Sequence, residues 1–513
     1  MDHINVKHYI ATGKKIISLL GAYVIAFVLF IANGGAWMTD VGILMSRDRL
    51  IWNMLAIVIL LSLILIIMNC PAKLEIGQAT KYKLGVVILC LLSYFYNFQG
   101  DIWEYIRSFV IMLIWFIVFL AFSYDKEIVW GALVNIAIIF AIISLFFFVF
   151  GSCLNMIPET RTTALNWGVW DTSSIRSFYN IYYEAQFLKT DGALLIPRNC
   201  GVFSEAPMYN FGLCVALSAE VFVVKKMHLW KCIVLTVTIL TTFSTTGYIF
   251  LIALIALYFA NIVFQQKGIT IHKIAFIALL LLGLLGVIGL MIQKMNSISG
   301  SGSVNVRSDH LSACIKAWLS SPILGVGFQN EEAVLQFSDY YQGMSIGAFY
   351  LLATGGIILA SCIIIPYIIN AVWSIKNRFY DEFIFESLFL LLFFFTAVTF
   401  YPIIKFFIAY IVVFNCKDDD INRSDWVKAK ISKGIKATQY SVLDFKQYLT
   451  RKIKIKLIVI ASLSIIAVCI FYYINHLSLI QLICLGLLIF IGIILVILLC
   501  SYIGFIIIKR RNN

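Results

Sequence analysis

The chain has 513 residues, of which 62% are hydrophobic and only 13% charged, with a mean hydropathy of +0.95. A soluble globular protein is roughly half apolar and about a quarter charged, so the composition excludes a soluble enzyme, a disordered chain and a secreted disulfide scaffold. The net charge of +13 sits in short segments between apolar runs, as membrane orientation requires. No basic stripe with interleaved aromatics is present, which sets nucleic acid aside as a partner.

The apolar runs are about 18 to 30 residues long, enough to cross a hydrocarbon core of roughly 30 Å as helices. A transmembrane β-barrel would show alternating stretches of about ten residues. The sequence therefore predicts an all-α, polytopic transmembrane helical bundle. About fourteen spans are expected: 16–36, 50–69, 84–98, 105–123, 128–151, 206–224, 230–243, 246–264, 274–293, 344–372, 383–399, 401–415, 457–475 and 479–508. The first follows Lys14 and Lys15 and is long for a signal peptide, which predicts an uncleaved signal anchor. Two boundaries rest on weak breaks, Ser244-Thr245-Thr246-Gly247 and Tyr401-Pro402. Fusing either pair would invert the orientation of everything after it. With both breaks kept and the N-terminus inside, inner segments hold most of the 39 lysines and arginines, and both termini are cytoplasmic. The expectation is a multi-pass protein of the cytoplasmic membrane.

Two outer connections are long, 152–205 and 294–343. Loops of this length inside a compact domain are functional or disordered. These contain Trp167, Trp170, Tyr179, Tyr182, Tyr183, Trp318, Tyr340 and Tyr341, which can fold them back on the membrane core. They lie on the extracytoplasmic face, where ATP and nucleotide sugars are absent. On the inner side, Val427, Ile431, Ile435, Thr438, Val442, Phe445, Leu449 and Ile453 recur at helical spacing, with lysines on much of the other face. Segment 416–456 reads as a helix along the inner leaflet, or as an ordinary basic loop. The organisation is then a twelve-span core over 1–415, this linker, and two extra spans within 457–513.

Arg198 and Glu205 stand where the first long loop enters the sixth span, in Pro197-Arg198-Asn199-Cys200-Gly201-Val202-Phe203-Ser204-Glu205-Ala206-Pro207. Ionisable groups beside hydrocarbon are costly and often mark function. The alternative is that Arg198 snorkels to the headgroups and Glu205 caps the helix beginning near Pro207. If the segment were helical, the two would share a face about two turns apart.

Arg307 and His310 lie in the second long loop, three residues apart and so on one helical face. Asn305 reads as the N-cap and the glycine- and serine-rich run before it as a hinge. A surface helix with a solvated arginine is the competing reading. Arg161, Arg176 and Lys189 are further outer cations with weaker context. His310 is the sole histidine in a long outer loop, so no metal site of several histidines is expected, and no cofactor. The cysteines form no CxxC pair, and neither a disulfide nor a zinc site is predicted.

At this point a resemblance enters. Arg198, Gly201, Phe203, Glu205 and Pro207 before a span, then Ser303, Arg307, Trp318, Pro322, Gly325 and Gly327 in a later outer loop, form a recognisable pattern. Thr241 to Gly247 between them, and Leu351 to Gly355 with Gly356 downstream, complete it. The pattern resembles the O-antigen polymerase and O-antigen ligase superfamily of bacterial polysaccharide assembly, over roughly residues 16–415. The resemblance implies a large outer loop capping a cavity between helices. It also implies metal-independent glycosyl transfer from a polyprenyl-diphosphate-linked oligosaccharide. Such ligases carry a histidine just before the span after the second loop; Gln342-Gly343-Met344-Ser345-Ile346-Gly347 has none, which favours a polymerase.

Cleaving a sugar from a lipid diphosphate builds negative charge on the leaving group. Arginine offers a fixed fork of donors for phosphate oxygens, so Arg198 and Arg307 are the expected diphosphate ligands. Glu205 and His310 are the candidates to accept the proton of the attacking hydroxyl. Arg161, Arg176, Tyr183, Trp318 and Tyr341 are candidate substrate contacts. Membrane lipid and the chain-length regulator and flippase of the same pathway are the expected partners. The rival expectation is a lipid-linked oligosaccharide flippase, which would carry charges within its spans; the mid-span regions here are nearly free of them.

Overall fold

Runs of Leu, Ile, Val and Phe punctuated by Gly, Pro and Ser/Thr breaks make the described residues mostly helical. The computed structural model describes residues 18–38, 78–96, 102–121, 127–167, 171–189, 195–265, 298–340, 343–377, 379–396 and 398–413. All of these belong to one compact unit, Met1–Gly42 with Ser46–Asp418. The predicted spans 50–69, 274–293, 457–475 and 479–508 and the predicted helix within 416–456 lie outside the described residues.

In chain order the helices are α1 (Ser18–Ile31), α2 (Gln78–Tyr96), α3 (Ile102–Ala121), α4 (Glu127–Phe147), α5 (Ala206–Phe222), α6 (Leu229–Thr241), α7 (Thr245–Gln265), α8 (Ile298–Ser320), α9 (Glu331–Leu335), α10 (Gly347–Asn377), α11 (Tyr380–Phe395) and α12 (Pro402–Val413). A π-helical turn, Phe148–Cys153, extends α4. Among the described residues, two helices are long and apolar enough to cross a membrane, Glu127–Cys153 and Gly347–Lys376. Both weak breaks separate helices: α6 ends at Thr241 before α7 starts at Thr245, and α12 starts at Pro402, which favours a first-turn position.

Helix α5 packs on α4, α6, α7 and α11; α2 runs against α10, and α3 against α12. Aromatic rings fill the joins. Trp130 of α4 meets Phe385 of α11 and Phe406 and Tyr410 of α12 edge-on, and Phe389 stacks on Phe407 with centroids 3.8 Å apart. Such pairs contribute about 0.5–1.5 kcal/mol beyond the area they bury.

The helices are not charge-free inside. Lys83, Glu220 and Glu386 are each fully buried. Lys83 Nζ donates to Asn370 Oδ1 (2.7 Å) and to the Ile411 carbonyl (2.9 Å), and Asn370 Nδ2 donates to Glu386 Oε1 (3.0 Å). This network joins α2, α10, α11 and α12. Glu220 Oε1 lies 2.9 Å from His228 Nδ1, and Glu220 Oε2 lies 3.6 Å from Lys231 Nζ.

Three features depart from the sequence reading. The loop 152–205 is not all irregular but holds two small antiparallel sheets, so the all-α expectation fails there. One sheet is β1 (Arg161–Trp167), β2 (Asp171–Phe178) and β3 (Tyr182–Glu184); the other pairs β4 (Phe187–Lys189) with β5 (Leu195–Pro197). The β1–β2 register runs from Arg161 opposite Ser177 to Trp167 opposite Asp171. Serines and threonines scattered along β1 and β2 mask the period-2 apolar signal of a half-buried strand. The second departure is that α8 begins at Ile298, so Asn305 lies inside the helix and is not its N-cap, and the glycine–serine run is helical. Each glycine in a helix interior costs about 1 kcal/mol. Further along α8, Ala313, Cys314 and Ala317 pack with Ala353 of α10. The third is the stretch from Arg198 to Glu205, which is not helical, so those two residues do not share a helix face.

Candidate active site

The segment 198–204 is tied down from four directions. Its backbone pairs with the turn after α1: Ala36 N–H donates to the Val202 carbonyl (2.8 Å), and Ser204 N–H donates to that of Gly34 (3.2 Å). Tyr183 N–H donates to the Gly201 carbonyl (2.8 Å). Buried Asn199 donates from Nδ2 to Ser144 Oγ (3.2 Å) and Thr241 Oγ1 (3.0 Å), and its Oδ1 accepts from Gly201 N–H (3.1 Å). Gly201 has φ +56, and a β-carbon there would meet the Tyr209 ring at 2.8 Å, so only glycine fits.

This frame fixes Arg198. Its Nε–H donates to the Thr242 carbonyl (2.9 Å) in the α6–α7 break, and its Nη1 donates to Gln186 Oε1 (3.1 Å). Burial lowers the guanidinium pKa; Cys200 and Glu205 oppose that effect, and Arg307 adds to it. A guanidinium stays charged even so.

Glu205 is the N-cap residue of α5, extended at φ −140 and ψ 140, with Pro207 in the first turn. Its carboxylate caps nothing: no side-chain hydrogen bond reaches the helix amides. Burial raises its pKa to about 7 against the opposing pull of Arg198 and Arg307. Arg307, on α8, is lowered by burial and raised by Glu205. Among the described residues it makes no hydrogen bond. The structure thus gathers Arg198, Glu205 and Arg307, from two connections far apart in sequence, within electrostatic reach of one another.

The remaining candidates are placed elsewhere. His310 is fully buried, with Nδ1 2.9 Å from Ser345 Oγ and no hydrogen-bond partner for Nε2. Burial lowers its pKa, and the Tyr340 backbone, Asp309 and Glu331 oppose that; neither arginine nor Glu205 acts on it. Arg176 lies between carboxylates, its Nε 2.8 Å from Glu159 Oε2 and its Nη1 3.5 Å from Glu184 Oε2. Arg161 is exposed at the start of β1. Tyr183 is fully buried, its hydroxyl donating to the Asn180 carbonyl (3.1 Å), so its ring is closed to a sugar. Trp318 Nε1 donates to the Pro322 carbonyl (3.1 Å) at the end of α8. Tyr341 lies outside the described residues. Among the described residues no group of three His, Cys, Asp or Glu is placed to hold a metal ion.

Sequence reasoning missed Gln186 and the Thr242 carbonyl, the two acceptors that orient Arg198. No local motif marks either of them. An apolar pocket lies apart from the arginines, between α2, α3, α10 and α12, with Leu91, Tyr105, Phe328, Leu359 and Ile404 in its lining.

No protein family, no curated protein and no solved structure matches the chain.

Proposed function

We propose that this chain is a membrane glycosyltransferase that polymerises polyprenyl-diphosphate-linked oligosaccharide repeat units at the outer face of a bacterial cytoplasmic membrane. In this reading the described helices are part of a many-span bundle with both termini inside. The observation that carries the reading is the grouping of Arg198 and Arg307 around Glu205. Two fixed positive charges match a diphosphate leaving group, and electrostatic stabilisation of developing charge is commonly the largest single catalytic term. In the transfer step, an acceptor sugar hydroxyl attacks the anomeric carbon of the donor. Its proton passes to the Glu205 carboxylate, the bond from C1 to the diphosphate oxygen breaks, and polyprenyl diphosphate leaves on the arginines. A carboxyl titrating at about 7 is matched to accepting a proton at neutral pH.

The test is purified protein in lipid with a polyprenyl-diphosphate oligosaccharide. A ladder of lengthening products is expected, with and without chelator. No ladder from the wild-type protein on its cognate repeat unit sinks the reading.

Buried Lys83 and Glu386 favour one second reading, a flippase for the same lipid-linked oligosaccharide, because ionisable groups inside spans line transport paths. The two differ in what a knockout accumulates: single repeats on surface lipid for a lost polymerase, repeats trapped inside for a lost flippase.

A further inference from the structure

We infer that Gln186 is a positioning residue that sets the orientation of Arg198 for the donor diphosphate. The inference rests on the polymerase reading above. Three observations carry it. First, the β4–β5 register places Phe187 opposite Pro197, and the ladder continues one step further: Arg198 N–H donates to the Gln186 carbonyl (2.9 Å). Gln186 is therefore held directly across from Arg198. Second, the Gln186 side chain spans two elements. Its Oε1 accepts from Arg198 Nη1 (3.1 Å) and from the Ala206 N–H (3.1 Å), the first amide of α5. Both neighbours are donors, so the amide is locked with oxygen inward. Third, the guanidinium is held on two of its sides, by Thr242 through Nε and by Gln186 through Nη1. Of its five N–H groups, three remain for a ligand.

A ligand held this way would meet a guanidinium whose plane is already set. The same oxygen also satisfies the first amide of α5, which holds the Gln186 side chain in place against Arg198. Loss of the amide would leave Arg198 on a single anchor.

The experiment compares wild type with Gln186→Ala, Gln186→Leu and Gln186→Glu in the purified full chain. It reads kcat and KM for a polyprenyl-diphosphate oligosaccharide, helical content, and amide exchange in a peptide covering Ala206. A guanidinium no longer held in its set plane is misplaced for the leaving group, which lowers the rate roughly 10- to 100-fold. That loss is expected in kcat for Gln186→Ala and Gln186→Leu, at unchanged helical content and with faster exchange at Ala206. Gln186→Glu keeps two acceptor oxygens and is expected within about threefold of wild type, whereas a packing role would be served equally by Gln186→Leu, which fills similar space with no acceptor. Gln186→Ala combined with Arg198→Ala should be no slower than Arg198→Ala alone, since both act through one guanidinium. Wild-type kcat in Gln186→Ala, or a loss that multiplies with that of Arg198→Ala, overturns the proposal. A wild-type protein that makes no polymer but shows the exchange difference fails the function reading instead, and the two failures are thereby distinct.

Discussion

Gly356 meets the Ile323 carbonyl so closely that no β-carbon fits between them. Both Gly356 (φ +59) and Gly325 (φ +74) hold the left-handed backbone, and a β-carbon at Gly356 would come within 2.7 Å of Gly325 N. The turn after α8 enters a break in α10 and takes over its hydrogen bonds: Val326 N–H donates to the Ala353 carbonyl (2.9 Å), and Ile357 N–H donates to that of Pro322 (3.0 Å). A broken helix keeps its backbone satisfied only through such a neighbour. The join fixes the helix that carries Arg307 onto the core.

Gly356→Ala is therefore expected to destabilise strongly. The positive-φ, extended-ψ backbone of Gly356 is essentially closed to alanine and costs about 1–3 kcal/mol, and the clash with backbone adds roughly 1–3 kcal/mol. Gly131→Ala in α4 is the control: nothing lies within 4 Å of its β-carbon, and alanine is the better helix former. Melting in detergent should place Gly356→Ala well below wild type and Gly131→Ala at or above it. Equal melting of the two contradicts the join.

The raised pKa of Glu205 has a pH consequence with a definite sign. A carboxyl must be ionised to accept a proton, so kcat/KM should climb as pH rises through about 7 and level off above it. Glu205→Gln should abolish transfer at every pH while leaving the helical spectrum intact. A wild-type pH–rate profile that is flat between about pH 5 and 8, a window that brackets the raised Glu205 value, removes Glu205 from the proton-accepting role.

The two arginines should differ in their tolerance of lysine. Arg198 is engaged through both Nε and Nη1; a lysine ammonium holding both acceptors would keep one N–H for a ligand where the planar guanidinium keeps three. Arg198→Lys is expected to lose at least about 100-fold in kcat/KM, a loss of roughly 2.7 kcal/mol in transition-state binding. Arg307 has no hydrogen bond among the described residues, so Arg307→Lys keeps its charge and should lose only about tenfold. Steady-state kinetics on the two variants decide this, and equal losses would contradict the asymmetry.

His310 acts in the structure as a buried tie between α8 and Ser345. His310→Ala should lower the melting temperature, with a cost of roughly 2–4 kcal/mol for a buried group of this size. The acid limb of the pH–rate profile should stay where Glu205 puts it. Loss of that limb in the folded variant would return His310 to the proton-accepting role.

Much of the scaffold was legible because hydrophobic run length and breakers are local signals: Thr241–Gly247 and Pro402 part their helices where the sequence breaks. Arg198, Glu205 and Arg307 were legible as ionisable groups in improbable places. The strands within 161–184 were not, because Ser and Thr scattered along them hide the alternation, and the start of α8 was not, because its glycine–serine run has weak helix propensity. His310 and Arg307 are three apart on one helix, yet one is buried on Ser345 and the other lies within electrostatic reach of Glu205; a shared face in a helical projection did not separate them. Gln186 was invisible because its position opposite Arg198 comes from strand register, not from any local motif.

The most direct test of the central claim is binding of polyprenyl diphosphate and polyprenyl monophosphate to wild type, Arg198→Ala and Arg307→Ala in lipid nanodiscs. Wild type should prefer the diphosphate by at least about tenfold, roughly 1.4 kcal/mol, and each variant should lose that preference. Variants that bind the diphosphate as wild type does, and still extend polymer to full length, would contradict the account.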